Sequence, residues 1–99
     1  LIIYLKKFKK VRRKGDKIMW IRTQDREELV NADRVKNIFI NKLIKLTNPR
    51  WEIKADELTL GVYTSEDNAI DVLAYIQECI YLGKAEMNMP LEKDGELLK

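Results

Sequence analysis

The residue pattern predicts an α+β fold, an antiparallel sheet of about four strands packed by one C-terminal amphipathic helix. Three observations carry that expectation. Residues 51–55 and 58–63 alternate apolar with polar across a two-residue connection, as a hairpin with one buried face does. Ala69, Val72, Leu73, Ile76, Cys79 and Ile80 recur at helical spacing, as the buried stripe of a helix does. The chain has 99 residues, 45% of them apolar and 35% charged, which suits one small folded domain rather than a disordered chain.

Taken in order, residues 1–18 form a basic leader. Eight lysines and arginines there meet one acid, a charge of +7, while the other 81 residues carry 11 basic and 15 acidic side chains, or −4. The net charge of +3 therefore describes the leader and not the domain. Leu1, Tyr4, Leu5, Phe8 and Val11 fall at helical spacing among cations, which would make a short amphipathic helix for acidic membrane surfaces or phosphates before Gly15-Asp16 breaks it. Lys6, Lys7, Lys9, Lys10, Arg12 and Arg13 are the candidate basic arm. A different reading starts from coding sequence. Residues 12–19 can be encoded by a purine-rich run resembling a bacterial ribosome-binding site ahead of a start codon, and the chain begins with leucine. On that reading residues 1–18 are a translated upstream region and Met19 is the natural first residue. A third reading makes the leader an extra element of the fold.

Residues 18–23 are β-branched, aromatic and apolar with Arg22 outward, and read as a strand ending in the polar turn Gln24-Asp25-Arg26-Glu27. Glu28-Leu29-Val30 is a short extended piece that bends at Asn31-Ala32-Asp33. Residues 35–41 form a strand with Ile38 and Ile40 on one face and Phe39 on the other, which fits a central position or a face covered by a partner. In residues 42–50, Leu43, Ile44 and Leu46 could prolong that strand before the Asn48-Pro49 loop. The hairpin follows, with Trp51, Ile53 and Ala55 on one face and Leu58, Leu60 and Val62 as the apolar set of its second arm; Asp56-Glu57 lacks the usual turn glycine. Thr64 or Ser65 caps the helix, Glu66 and Asp67 sit in its first turn, and Gly83 ends it. The domain is thus expected over residues 19–83. Residues 84–99 are expected as a tail, with a short edge strand around Met87, Met89 and Leu91 and disorder after Glu92.

Three segments also carry a resemblance. Met19-Trp20-Ile21-Arg22-Thr23-Gln24-Asp25 followed by Glu28-Leu29-Val30-Asn31, then Leu60-Gly61-Val62-Tyr63-Thr64-Ser65-Glu66, then Met89-Pro90 resemble small bacterial and prophage-borne proteins. Those have an M-W-I-x-x-Q-D start, a strand ending L-G-x-Y, a capped S-E helix and a late M-P. The resemblance covers most of residues 19–91, brings no activity to transfer, and supports Met19 as the start.

For chemistry, the absence of histidine removes Ser-His and Cys-His nucleophile pairs and the commonest metal ligand. Cys79 is the sole cysteine, so no internal disulfide forms, and its place on the apolar stripe makes it a small hydrophobe. Asp67 and Asp71 have i, i+4 spacing but flank the helix start on its solvent side, where capping explains them. Trp20, Trp51 and Tyr63 could make a base-stacking platform, but the acidic domain around them argues for core packing. Gly61 fits no phosphate loop and is expected at a bulge or a close approach of the helix. No catalytic, cofactor or metal residue is assigned and no enzyme is expected. No stretch reaches the roughly 18 apolar residues of a membrane span, and the expected compartment is the reducing cytoplasm. The expected function is a protein-interaction or accessory module, self-associating through its sheet, with Val35, Phe39 and Trp51 as the candidate surface. The alternative is nucleic-acid or acidic-membrane binding through the basic arm.

Overall fold

A computed structural model describes residues 2–6, by their backbone, and residues 18–44, 48–93 and 95–98. In chain order these form β1 (Ile2–Lys6), β2 (Trp20–Arg22), β3 (Leu29–Asn31), a 3-10 turn (Ala32–Arg34), β4 (Asn37–Leu43), β5 (Arg50–Ala55), β6 (Leu58–Tyr63), α1 (Glu66–Tyr81), β7 (Glu86–Asn88), β8 (Leu91–Lys93) and β9 (Glu96–Leu98). The fold is α+β, as expected, but it has more than one sheet. The main sheet is antiparallel in the order β1-β4-β5-β6; β3-β2-β7 is a second sheet and β8-β9 a two-stranded hairpin. β2 pairs antiparallel with β3 and parallel with β7.

α1 packs on β4, β5 and β6. Its buried residues are Ala69, Val72, Leu73, Ile76 and Cys79, with Ile80 half-buried beside them, which is the stripe read from the spacing. They meet Ile38, Ile40, Ile53, Ala55, Leu60 and Tyr63 of the main sheet; Met19, Ile21, Ala32, Met87 and Met89 join the same core. Ser65 caps α1 by accepting the Asn68 N–H at 3.1 Å. At the other end Gly83 takes φ 67°, and the Gly83 and Lys84 N–H groups return to the Ile80 and Cys79 carbonyls at 3.1 Å each. That is a complete Schellman close, and the left-handed φ is why a glycine stands there.

Four expectations change. The first residues of the leader are a strand, not a helix: Ile2–Lys6 pairs antiparallel with β4, Tyr4 opposite Phe39. An isolated helix this short is marginal in water, whereas the β-branched and apolar run Ile2-Ile3-Tyr4-Leu5 gains a ladder along an open edge of β4. The strand around Ile21 leaves the main sheet for the second one, and β1 takes the fourth place. Strand pattern identifies faces and says nothing about which edges meet.

The third change is on β6. Leu58 and Val62 are exposed, while Leu60, Gly61 and Tyr63 are buried. Ile53 pairs with Gly61 and Lys54 with Thr59, so Leu60 is an extra residue and the register shifts there. The bulge turns Gly61 and Tyr63 inward past it. Fourth, the helix is not the last element. Residues 86–93 and 95–98 return to the fold, with Met87, Met89 and Pro90 buried and Leu97 packed on the core, so the described part of the tail is ordered structure. In the uncertain stretch, Leu43 does prolong β4, opposite Arg50, and Ile44 is exposed; residues 45–47, Leu46 included, lie outside the described residues.

Candidate functional site

Residues 22–28, 60–64 and 89–92 meet at one hydrogen-bonded junction. It lies between the turn after β2, the end of β6 and the stretch joining β7 to β8. Thr23, buried, begins the turn: its hydroxyl donates to Asp25 Oδ1 at 2.6 Å and accepts the Glu28 N–H at 3.2 Å. Asp25 also accepts the Glu27 N–H at 3.0 Å, and these bonds, that from Thr23 first, hold its carboxyl below the ordinary carboxylate range. Arg26 takes φ 69° and sends Nη1 to the Met89 carbonyl at 3.0 Å.

Gln24 reaches the open side of β6. Its backbone N–H donates to the Leu60 carbonyl at 2.8 Å, and its side-chain Oε1 accepts the Val62 N–H at 2.8 Å. One residue thus supplies the donor and the acceptor that a neighbouring strand would supply. Its Nε2 lies 3.4 Å from the Pro90 carbonyl. Two residues on, the Thr64 N–H is held by Glu92 Oε1 at 2.9 Å. Glu92 Oε2 accepts the Asn68 amide at 2.6 Å, and the same amide donates to the Gly95 carbonyl at 2.7 Å. Burial raises the Glu92 pKa, but the bonds from Asn68 and Thr64, with the Arg50 charge, outweigh it, and the carboxyl lies below its usual range.

Tyr63 is fully buried at the centre and donates its hydroxyl to the Pro90 carbonyl at 2.8 Å. Burial first, then the Glu92 charge, holds this phenol far above its ordinary range, so it stays a donor at every physiological pH. Gly61 makes room for it. A Cβ at Gly61 would stand 3.0 Å from the Tyr63 hydroxyl and 3.2 Å from the Gln24 Cβ. The close approach expected at Gly61 is therefore by Tyr63 and Gln24, next to the bulge, and not by the helix.

The Val62 contact also shows, through the strand registers, which way each strand of the main sheet bonds. Residues of an antiparallel ladder alternate in the side to which they turn N–H and C=O. Val62 faces away from β5, so Gly61 and Tyr63 bond Ile53 and Trp51. Glu52 and Lys54 then bond Asn41 and Phe39, in phase with the Asn37 carbonyl accepting the Asp56 N–H at 2.9 Å. Ile38 and Ile40 are left to bond Leu5 and Ile3. The backbone groups of Ile2, Tyr4 and Lys6 consequently face outward along the far side of β1, where no described strand pairs with them.

The residues named from sequence do not make one surface. Val35 is buried in the core, and Trp51 packs against it on the helix side of β5. Phe39 is half-buried on the opposite face, in register with Lys54. On that face Glu52 accepts from Asn41 and Thr59 at 2.8 Å each, a polar ladder across three strands. Trp51 carries a Lys42 ammonium 5.5 Å from its ring centroid, and its buried indole N–H has no hydrogen-bond partner among the described residues. With Tyr63 buried and Trp20 in the second sheet, the three aromatics form no joint platform. Asp67 and Asp71 are exposed on α1 and Cys79 is buried in the core. Of the basic arm, Lys6 ends β1; Lys7, Lys9, Lys10, Arg12 and Arg13 lie outside the described residues.

The edge arrangement around Gln24 was missed by sequence reasoning. Its one signal was the wide separation of three small motifs with no chemistry of their own. Among the described residues no group of acidic and cysteine side chains is placed to hold a metal ion, and no helix is long and apolar enough to cross a membrane. Compared with known protein families, curated proteins and solved structures, the chain matches none.

Proposed function

We propose that the protein is a small protein-interaction module that associates with a second copy of itself by strand addition along the outer edge of β1. The observation that supports this reading is the contrast between the two ends of the main sheet. The β6 edge is occupied by Gln24 and Glu92, whereas the β1 edge offers Ile2, Tyr4 and Lys6 with no described strand beside them. An unpaired edge of apolar, β-forming sequence is a template for another strand. A second copy meets it antiparallel about a two-fold axis through Tyr4, with Ile2 opposite Lys6. That pairing forms about six backbone hydrogen bonds and closes on itself.

Sedimentation of the full chain over a wide concentration range tests this. The expected species is a concentration-dependent dimer, and Tyr4→Pro removes it. Proline there deletes an outward N–H and leaves the β1–β4 ladder intact. A wild-type chain that stays monomeric at the highest concentration rejects the proposal.

A further inference from the structure

We infer that Gln24, backed by residues 89–92, is a built-in stopper that prevents the β6 edge from accepting the β1 edge of another copy. Association through β1 then ends at a closed pair instead of running on. The inference rests on the proposed pairing for its biological sense, but its geometry is independent of it.

A sheet with one open edge at each end is a hazard of a particular kind. β1 against β1 is the same surface on both sides and closes after two chains. β1 against β6 is head-to-tail and generates an open filament. What decides between them is whether the β6 backbone is available. Its outward Leu60 carbonyl and Val62 N–H are both taken by Gln24, and the following Thr64 N–H by Glu92. An incoming strand must displace all three bonds.

Gln24 is also poorly placed to yield. Its backbone is tied to Leu60, its Cβ is pressed near Gly61, and its amide nitrogen faces the Pro90 carbonyl. That carbonyl is fixed by Tyr63, and the neighbouring residue is pinned from both sides: Met89 N–H to the Arg22 carbonyl at 3.0 Å and the Met89 carbonyl to Arg26. The bulge at Leu60 adds a local irregularity that an incoming regular strand would have to match.

The test combines two measurements. Gln24→Leu keeps the side-chain volume and removes both polar contacts; Gln24→Glu keeps an acceptor for Val62. Sedimentation and light scattering should show Gln24→Leu growing beyond two chains with concentration, while Gln24→Glu stays at the wild-type mass. Adding Val62→Pro, which removes the outward N–H, should abolish the growth. A folded Gln24→Leu chain that keeps the wild-type mass overturns the inference. Should that variant not fold, hydrogen exchange of the wild type decides. The Val62 and Thr64 amides are expected to exchange about tenfold or more slowly than an unbonded edge amide, and unprotected exchange at Val62 overturns it. A monomeric wild type with Val62-dependent growth of Gln24→Leu would remove the β1 pairing and leave the stopper standing. A wild-type dimer with an inert Gln24→Leu would do the reverse.

Discussion

Asp56 occupies the turn between β5 and β6 at φ 54°, where a glycine or asparagine is the usual occupant. It is there for its carboxylate, which accepts the Lys36 and Asn37 N–H groups at 3.0–3.2 Å and ties the turn to the start of β4. Asp56→Ala keeps the strain and loses the bonds, and should cost about 2–3 kcal/mol in denaturant unfolding. Asp56→Gly relieves the strain and should cost visibly less. Gly61→Ala forces the Tyr63 ring or the Gln24 side chain to move, at about 1–3 kcal/mol. The acidic end of the pH range reports on Glu92. Its folded pKa lies below the ordinary 4.5, so its contribution is complete above that value and is lost as pH falls through the lower folded value. Thr64 and Gly95 amide signals should shift in that acid window, and Glu92→Gln should remove their transition. Asp25, depressed in the same sense, leaves residual acid sensitivity in that variant.

At the level of elements, α1 was legible almost residue by residue. Its periodicity, cap and terminating glycine are local features, and each corresponds to a short-range bond in the structure. Ile76, fully buried at its middle, is the measure of that stripe: Ile76→Ala should lower stability by about 2–5 kcal/mol. β6 was legible only to its bulge. Alternation assigns inside and outside one residue at a time, so a single extra residue at Leu60 inverts the reading of Val62 and Tyr63. For β1 the pattern leaves an amphipathic helix and an added element of the fold both open, because Leu1, Tyr4 and Leu5 satisfy a helical period as well as a strand run. The choice falls to β4, whose free edge lies far away in sequence.

For the whole molecule, no described strand lies beside the outer edge of β1, while Gln24 and Glu92 occupy the outer edge of β6. Both ends are built from segments remote in sequence: the first residues of the chain at β1, and the β2 turn with residues 89–92 at β6. Stability and assembly are therefore expected to separate under mutation. Tyr4→Pro should change the oligomeric state and leave the thermal unfolding of the monomer nearly unchanged. Shortening the chain after residue 88 should do both kinds of damage, since it removes the buried Met89 and Pro90 and frees the Tyr63 hydroxyl and Gln24 amide from their acceptor.

Composition, periodicity and turn chemistry were enough for the α+β class, the helix with both its ends, the β5–β6 hairpin and the absence of histidine-based chemistry. These are short-range properties, carried by residues within a few positions of one another. The partition of strands among sheets, the bulge at Leu60, the return of β7, β8 and β9 to the fold and the closing of β6 by Gln24 needed the folded chain. Each joins backbone groups tens of residues apart. A backbone N–H or C=O is the same in every residue but proline, so the side-chain pattern bears no mark of which distant partner it will meet.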